Sequence, residues 1–125
     1  MKEMKVQTIS ELKRDVGFNE KHTIVEEGVV KAVSMKLLVA IWKSKGYKLY
    51  GNYNYIFEVL RKHGVVQYEQ TSDKPNNIPT IDYSDCIIVK SFDYEDFVIK
   101  KMFFTKESSR VVKEIMKTER MLLEI

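Results

Sequence analysis

Few side chains in this sequence combine the type and the spacing that catalysis or metal binding requires. The two histidines, His22 and His63, lie 41 positions apart, and Cys86 is the single cysteine. Because zinc sites are usually built from pairs of His or Cys ligands a few residues apart, no zinc site is predicted. Cys86 has no partner for an intramolecular disulfide and precedes an Ile-Ile-Val run, so we expect a small buried residue in a reducing compartment.

Two aspartates near a lysine raise the question of a metal-dependent nuclease. Asp82 and Asp85 precede Lys90, and such an enzyme needs carboxylates that converge on a divalent ion beside a lysine. An acidic residue two positions before the lysine is missing at Lys100. The five glycines are isolated and no serine lies in a glycine-flanked elbow, so neither a phosphate-binding loop nor acyl transfer is indicated. We therefore predict a non-enzymatic protein without a cofactor or a metal.

The charges of the chain are segregated along the sequence, although the net charge is only +3. Residues 31–62 contain seven basic residues and one acidic residue, a net charge of +6, whereas residues 63–99 carry a net charge of −5. This pattern indicates either a basic face that binds a polyanion or ordinary lysine-rich helix surfaces.

Lysines and tyrosines interleave at the centre of the basic segment, between residues 43 and 55. Lysine and arginine bind phosphates, asparagine can pair with adenine, and tyrosine rings stack on unpaired bases. We therefore predict a nucleic-acid interface with phosphate contacts at Lys43, Lys45, Lys48, Arg61 and Lys62 and base contacts at Asn52, Asn54 and Tyr55. For the tyrosines at positions 47, 50, 53 and 55 the alternative is a half-buried aromatic rim against the preceding helix.

The hydrophobic periodicity predicts one α+β domain over residues 1–125, with three helices, then three strands, then a helix. The predicted elements are helices over 10–17, 29–45 and 53–63, strands over 65–71, 86–92 and 97–104, and a helix from 105 to about 124. Residues 72–80 contain both prolines and are predicted to be a loop. An amphipathic helix over 94–104 is the alternative to the last strand.

From Tyr53 onward the sequence resembles the second half of a winged-helix DNA-binding domain. The matching residues are the helix 53–62, which ends in Val-Leu-Arg-Lys, then His-Gly-Val-Val over 63–66, and the strand 66–71. The resemblance implies helices followed by a small antiparallel sheet, with an additional C-terminal helix. It also implies that Asn52, Asn54, Tyr55, Glu58, Arg61 and Lys62 face the major groove of duplex DNA and that the loop 73–79, with Lys74, is the wing tip. The helices 10–17 and 29–45 would then supply the upstream part of the domain.

This resemblance implies a transcription-type regulator that binds duplex DNA and forms a homodimer; single-stranded nucleic acid is the second candidate ligand. Apolar residues of the last helix would either dock across the sheet or form the dimer contact. These residues are Val112, Ile115, Met116, Leu122 and Leu123. The rival hypothesis is a small interaction or inhibitor protein, such as a viral accessory protein, that acts through its acidic region 82–96 or its C-terminal helix.

The sequence also predicts where the protein is located. The N-terminal residues alternate charged and apolar side chains and contain no uncharged apolar run, so no signal peptide is predicted. No stretch approaches the roughly 18 apolar residues of a membrane span. We expect a cytoplasmic, soluble protein.

Overall fold

The computed structural model describes residues 20–70 and 75–125, which form three α-helices and eight strands. In chain order these are β1 (Thr23–Glu26), β2 (Val29–Ser34), α1 (Met35–Ser44), β3 (Tyr47–Leu49), α2 (Tyr53–Lys62), β4 (Val66–Tyr68), β5 (Asn77–Pro79), β6 (Ile87–Asp93), β7 (Val98–Thr105), α3 (Lys106–Thr118) and β8 (Leu122–Glu124). Two short 3-10 turns lie at Glu20–His22 and Ile81–Tyr83. The predicted helix 10–17 lies outside the described residues.

The strands form one larger sheet and two small ones, and every pairing is antiparallel. The larger sheet has the order β1-β2-β7-β6, and the two-stranded sheets are β3–β8 and β4–β5. The chain is therefore α+β, but the predicted arrangement, helices followed by a small winged-helix-like sheet, is wrong. Strands precede, separate and follow the helices, because Val29–Ser34 and Leu122–Glu124, both within predicted helices, pair with distant strands.

The predicted helix 29–45 divides into strand β2 and helix α1. Residues 29–33 are rich in valine, which favours strands, and β2 pairs with β1 through a turn in which Gly28 has φ +75°. The helix begins only after Ser34, whose Oγ accepts a hydrogen bond of 3.2 Å from the Leu37 amide. The apolar stripe at helical spacing therefore included two residues of a strand, Val30 and Val33, which are buried as predicted but in β2.

The predicted final helix also ends earlier than expected, at Thr118. Arg120 adopts a positive φ of 58° and turns the chain, and Leu122–Glu124 then pairs with Tyr47–Leu49. Backbone hydrogen bonds from the Tyr50 amide to the Met121 carbonyl (2.7 Å) and from the Ile125 amide to the Gly46 carbonyl (2.8 Å) extend this ladder. Part of the predicted loop 72–80 is likewise a strand, β5.

Two local predictions are confirmed. Helix α2 begins after Asn52, the predicted cap, and Gly64 follows its end with φ +73°. Strands β6 and β7 form the predicted antiparallel hairpin, which decides the alternative for 94–104 in favour of a strand.

Helix α1 is the centre of the hydrophobic core. Its Leu38 and Trp42 side chains are fully buried, and they belong to a cluster to which α2, β7 and α3 contribute Leu60, Phe104 and Met116. Three helices thus pack against the inner end of the β6–β7 hairpin. None of the helices within the described residues has the length and apolar character needed to cross a bilayer.

Candidate nucleic-acid interface

The basic segment runs from the end of α1 through β3 to the start of α2. Lys43 and Lys48 are exposed and Lys45 is half-buried. The Lys48 ammonium lies 5.0 Å from the centroid of the Tyr50 ring. None of these three lysines forms a salt bridge with a residue that the structure describes, although Glu124 lies across the ladder from Tyr47.

The four tyrosines of this segment divide into one core residue and three surface residues. Tyr47 is only 3% exposed, and the ammonium of Lys113 lies 4.4 Å from its ring centroid. Tyr50, Tyr53 and Tyr55 are 45%, 41% and 46% exposed. Tyr47 is therefore a core residue, whereas the other three rings, within six residues of one another, are partly accessible.

Other predicted contacts have partners within the chain. Asn52 is the N-cap of α2, and its Oδ1 accepts a hydrogen bond of 2.9 Å from the Tyr55 amide. The Arg61 guanidinium donates to Oδ1 of Asn77 at 2.6 Å and lies 4.1 Å from the Tyr68 ring centroid. These contacts hold Arg61 against the β4–β5 hairpin. Asn54 is exposed, and Lys74 lies outside the described residues.

The C-terminal end of α2 is tied to the C-terminal end of α3 through Glu119. Nε2 of His63 donates to Oε1 of Glu119 at 2.8 Å, and the Lys62 ammonium lies 3.5 Å from the same oxygen. The hydrogen bond from His63 lowers the pKa of Glu119; partial burial opposes this shift, and the charge of Lys62 adds to it. Lys62, a predicted phosphate contact, thus already has an anionic neighbour.

A cleft that the sequence analysis missed lies beside α2. Its volume is about 370 Å³, and it opens where β2 ends and the chain turns away from β7 into α1. The residues that line it are Ser34, Met35, Lys36, Tyr53, Phe57, Pro75, Asn76, Asn77, Ile99, Lys100, Lys101 and Met102. They come from four separated parts of the chain, so no spacing rule could have found the cleft. The only local signal was the pair Tyr53 and Phe57, which lie one helical turn apart.

Two of the lining residues, Lys36 and Lys101, belong with His22 to a group of basic side chains, here called the cation cluster. The Lys101 ammonium donates to the Lys21 carbonyl at 3.0 Å and lies 3.2 Å from Nδ1 of His22. Because an ammonium can only donate, Nδ1 of His22 is the acceptor; it also lies 2.8 Å from the Ser34 hydroxyl.

The cation cluster lacks a compensating anion among the described residues. Neither Lys36 nor Lys101 forms a salt bridge with any of them. Burial, then the charges of Lys101, Lys36 and Lys21, lower the pKa of His22. Burial, then Lys36 and Lys21, lower the pKa of Lys101. The positive charges of the neighbouring lysines therefore make it less favourable for His22 and Lys101 to be protonated.

Asn76 and an ion pair hold another part of the cleft. The Asn76 amide donates to the Val98 carbonyl at 2.9 Å, and its Oδ1 accepts from the Lys100 amide at 3.1 Å. The Asn76 side chain therefore provides hydrogen-bond partners to backbone groups of β7 that do not pair with β2. The Lys100 ammonium forms an ion pair with Glu69, so its charge is compensated, in contrast to that of Lys101.

The predicted dimerisation residues lie mostly in the interior. Val112, Met116 and Leu122 are fully buried and Ile115 packs against the core, which leaves only Leu123 of that set exposed. The helix thus docks within its own chain, as in the first of the two predicted alternatives. Homodimerisation stays a prediction without an assigned surface.

The acidic region 82–96 does not form one surface. Asp82 and Asp85 lie before β6, whereas Asp93, Glu95 and Asp96 lie at the tip of the β6–β7 hairpin, one strand length of about 20 Å away. The outer part of this hairpin exposes apolar side chains instead, at Val89, Phe92, Tyr94, Phe97, Val98 and Ile99. At its tip the rings of Tyr94 and Phe97 stack with centroids 5.0 Å apart.

Two further findings bear on the class of the protein. Within residues 20–70 and 75–125, no group of three or more His, Cys, Asp or Glu side chains is arranged to hold a metal ion. Comparison with models of known protein families, with curated proteins and with solved structures finds no match.

Proposed function

We propose that the protein binds single-stranded nucleic acid across the exposed side chains between Lys43 and Tyr55, here called the tyrosine–lysine surface. The observation that carries this proposal is the exposure of Tyr50 and Tyr55 beside Lys43 and Lys48. Exposed aromatic rings offer stacking platforms to unpaired bases, and lysines between them attract the backbone.

The contacts of α2 favour a single strand over duplex DNA as the ligand. A recognition helix in the major groove would use Asn52, Arg61 and Lys62, and all three have partners within the chain. Releasing Arg61 from Asn77 and Tyr68 would cost its contacts with the β4–β5 hairpin. Stacking on Tyr50 and Tyr55 requires no such release, because both rings are already accessible.

The proposal is tested by the salt dependence of binding to a fluorescent oligothymidylate, followed by anisotropy. If Lys43, Lys45 and Lys48 each neutralise one phosphate, the logarithm of the affinity should fall against the logarithm of salt concentration with a slope of about −2, from about 0.7 per contact on a single strand. Lys48→Met should reduce this slope by about 0.7. The control is Lys31→Met, since Lys31 is exposed on β2 and should leave the slope unchanged.

Stacking is tested with tyrosine variants on the same oligonucleotide. Tyr50→Ala should weaken binding by about 1–3 kcal/mol, whereas Tyr94→Ala, at the hairpin tip, should not change the affinity. Equal losses in both variants would contradict the proposal, as would preferential binding of a duplex of the same length. If no oligonucleotide binds at low salt, the proposal is wrong, and a protein partner becomes the leading alternative.

A further inference from the structure

We propose that the cleft beside α2 is a site for a nucleoside phosphate, with the phosphate at the cation cluster and the base against Tyr53 and Phe57. The site is separate from the tyrosine–lysine surface except for Tyr53. It does not rest on the binding of a longer strand.

The size of the cleft favours a single nucleotide unit. Its volume of about 370 Å³ lies near the lower end of the roughly 300–1,000 Å³ that small-molecule sites occupy. A run of stacked bases would not fit, but one base with its sugar and phosphate would. The walls are also held in place, because Asn76 is fixed to β7 and Ser34 to the start of α1.

The charges of the cleft favour an anion at one defined position. Lys100 is paired with Glu69, whereas Lys36 and Lys101 form no salt bridge within residues 20–70 and 75–125, so the uncompensated charge of the described lining lies at these two lysines. Burial, and after it the positive charges of neighbouring lysines, lower the pKa values of His22 and Lys101, and a bound phosphate would offset the repulsion between these charges. Charge-assisted hydrogen bonds from ammonium groups to phosphate oxygens are among the stronger polar contacts in proteins.

The aromatic side chains favour a planar group next to that anion. Tyr53 and Phe57 both line the cleft from α2, four residues apart and therefore on one helix face. Burial raises the pKa of the Tyr53 hydroxyl, although much of its ring remains accessible. Asn76 and Asn77 supply amide groups in the same cleft. A base stacked on these rings and an attached phosphate together match the chemistry of the lining.

The test is calorimetric titration with adenosine 5′-monophosphate, adenosine and inorganic phosphate as separate probes. The monophosphate should bind at least tenfold more tightly than either fragment, because only it engages both sides of the cleft. Lys101→Met and Lys36→Met should each weaken its binding about tenfold. The matched control is Lys90→Met: Lys90 lies opposite Lys101 in the β6–β7 register, and both ammonium groups lie near the Phe103 ring, at 5.7 and 5.5 Å. Only Lys101 lines the cleft, so Lys90→Met should change the affinity less than twofold.

A second pair of variants separates this site from the tyrosine–lysine surface. Tyr53→Ala should weaken monophosphate binding about tenfold. Tyr55 lies two residues further along α2 and outside the cleft lining, so Tyr55→Ala should leave monophosphate binding unchanged. Binding of oligothymidylate should respond to Tyr55→Ala instead. The two proposals can therefore fail independently.

The source of the nucleotide is assigned by competition with oligonucleotides that carry a 5′-phosphate or a 5′-hydroxyl. Displacement of the monophosphate by the phosphorylated strand alone would support the site and identify its ligand as a strand end. Displacement by neither strand would support the site as one for free nucleotides. The proposal is overturned if the monophosphate does not bind at millimolar concentration, if inorganic phosphate binds as tightly, or if Lys90→Met and Lys101→Met have equal effects in proteins with unchanged melting temperatures.

Discussion

The last strand offers a sharp test of the fold because adjacent leucines have opposite environments. Leu122 is 1% exposed and Leu123 is 44% exposed, since successive side chains of β8 point to opposite faces of its ladder with β3. Replacing a buried leucine by alanine removes its transfer free energy and leaves a cavity, at a cost of about 2–5 kcal/mol. The same change at an exposed position should alter stability by less than about 0.5 kcal/mol.

We therefore expect Leu122→Ala to lower the free energy of unfolding by about 2–5 kcal/mol, and Leu123→Ala to leave it nearly unchanged. For a domain of this size each kcal/mol corresponds to about 4 °C in melting temperature, so the expected decrease for Leu122→Ala is about 8–20 °C. Urea denaturation followed by circular dichroism measures the first quantity and a thermal melt the second.

Two results would refute this reasoning. If the strand were instead the end of a long dimerising helix, both variants would destabilise the protein by similar amounts and the melting temperature would depend on protein concentration. A loss below about 1 kcal/mol for Leu122→Ala would also contradict the burial of this side chain. Sedimentation of both variants at several concentrations completes the comparison.

Three further predictions concern single residues around the proposed sites. Asn52→Ala should lower the free energy of unfolding by about 0.5–2 kcal/mol through loss of the cap on the Tyr55 amide, whereas Asn52→Asp should retain it; equal urea midpoints for the two variants would show that the cap contributes nothing. Gly51→Ala should destabilise the protein more than Gly46→Ala, because both residues have positive φ but only at position 51 would the new Cβ come within 3.0 Å of the Tyr55 ring; denaturant midpoints in the reverse order would contradict this. Because the folded state lowers the pKa of His22 from 6.5, the unfolded chain binds more protons below neutral pH, so the melting temperature should fall as the pH is lowered through 6.5, and His22→Gln should weaken that dependence.

Short-range interactions account for the parts of the fold that were predicted correctly. Helix α2 has its cap, apolar face and terminating glycine within a dozen residues, and each acts on backbone groups no more than a few positions away. The β6–β7 hairpin is similar, since its strands are adjacent in the chain and joined by a short polar turn. The exposed lysines and tyrosines of the tyrosine–lysine surface could also be selected from composition and charge alone.

Long-range pairing accounts for what could not be predicted. Val29–Ser34 is apolar at positions that suit either a helix or a strand, and its partners in β7 lie about seventy residues away. Leu122–Glu124 has the same ambiguity and pairs with Tyr47–Leu49. A local pattern cannot distinguish these outcomes, because the free energy that decides between them comes from backbone hydrogen bonds and burial supplied by the distant strand.

The candidate sites follow the same division. The sequence identifies the basic and aromatic residues, but it does not show which charged side chains have hydrogen-bond or ion-pair partners in the folded chain. Arg61 is bound by Asn77, Lys62 by Glu119 and Lys100 by Glu69. Lys36 and Lys101 instead line a cleft assembled from distant segments, where Lys101 also contacts His22. An ion pair or a cleft depends on which side chains the folded chain brings within a few ångströms of each other, and separation along the sequence says little about that distance.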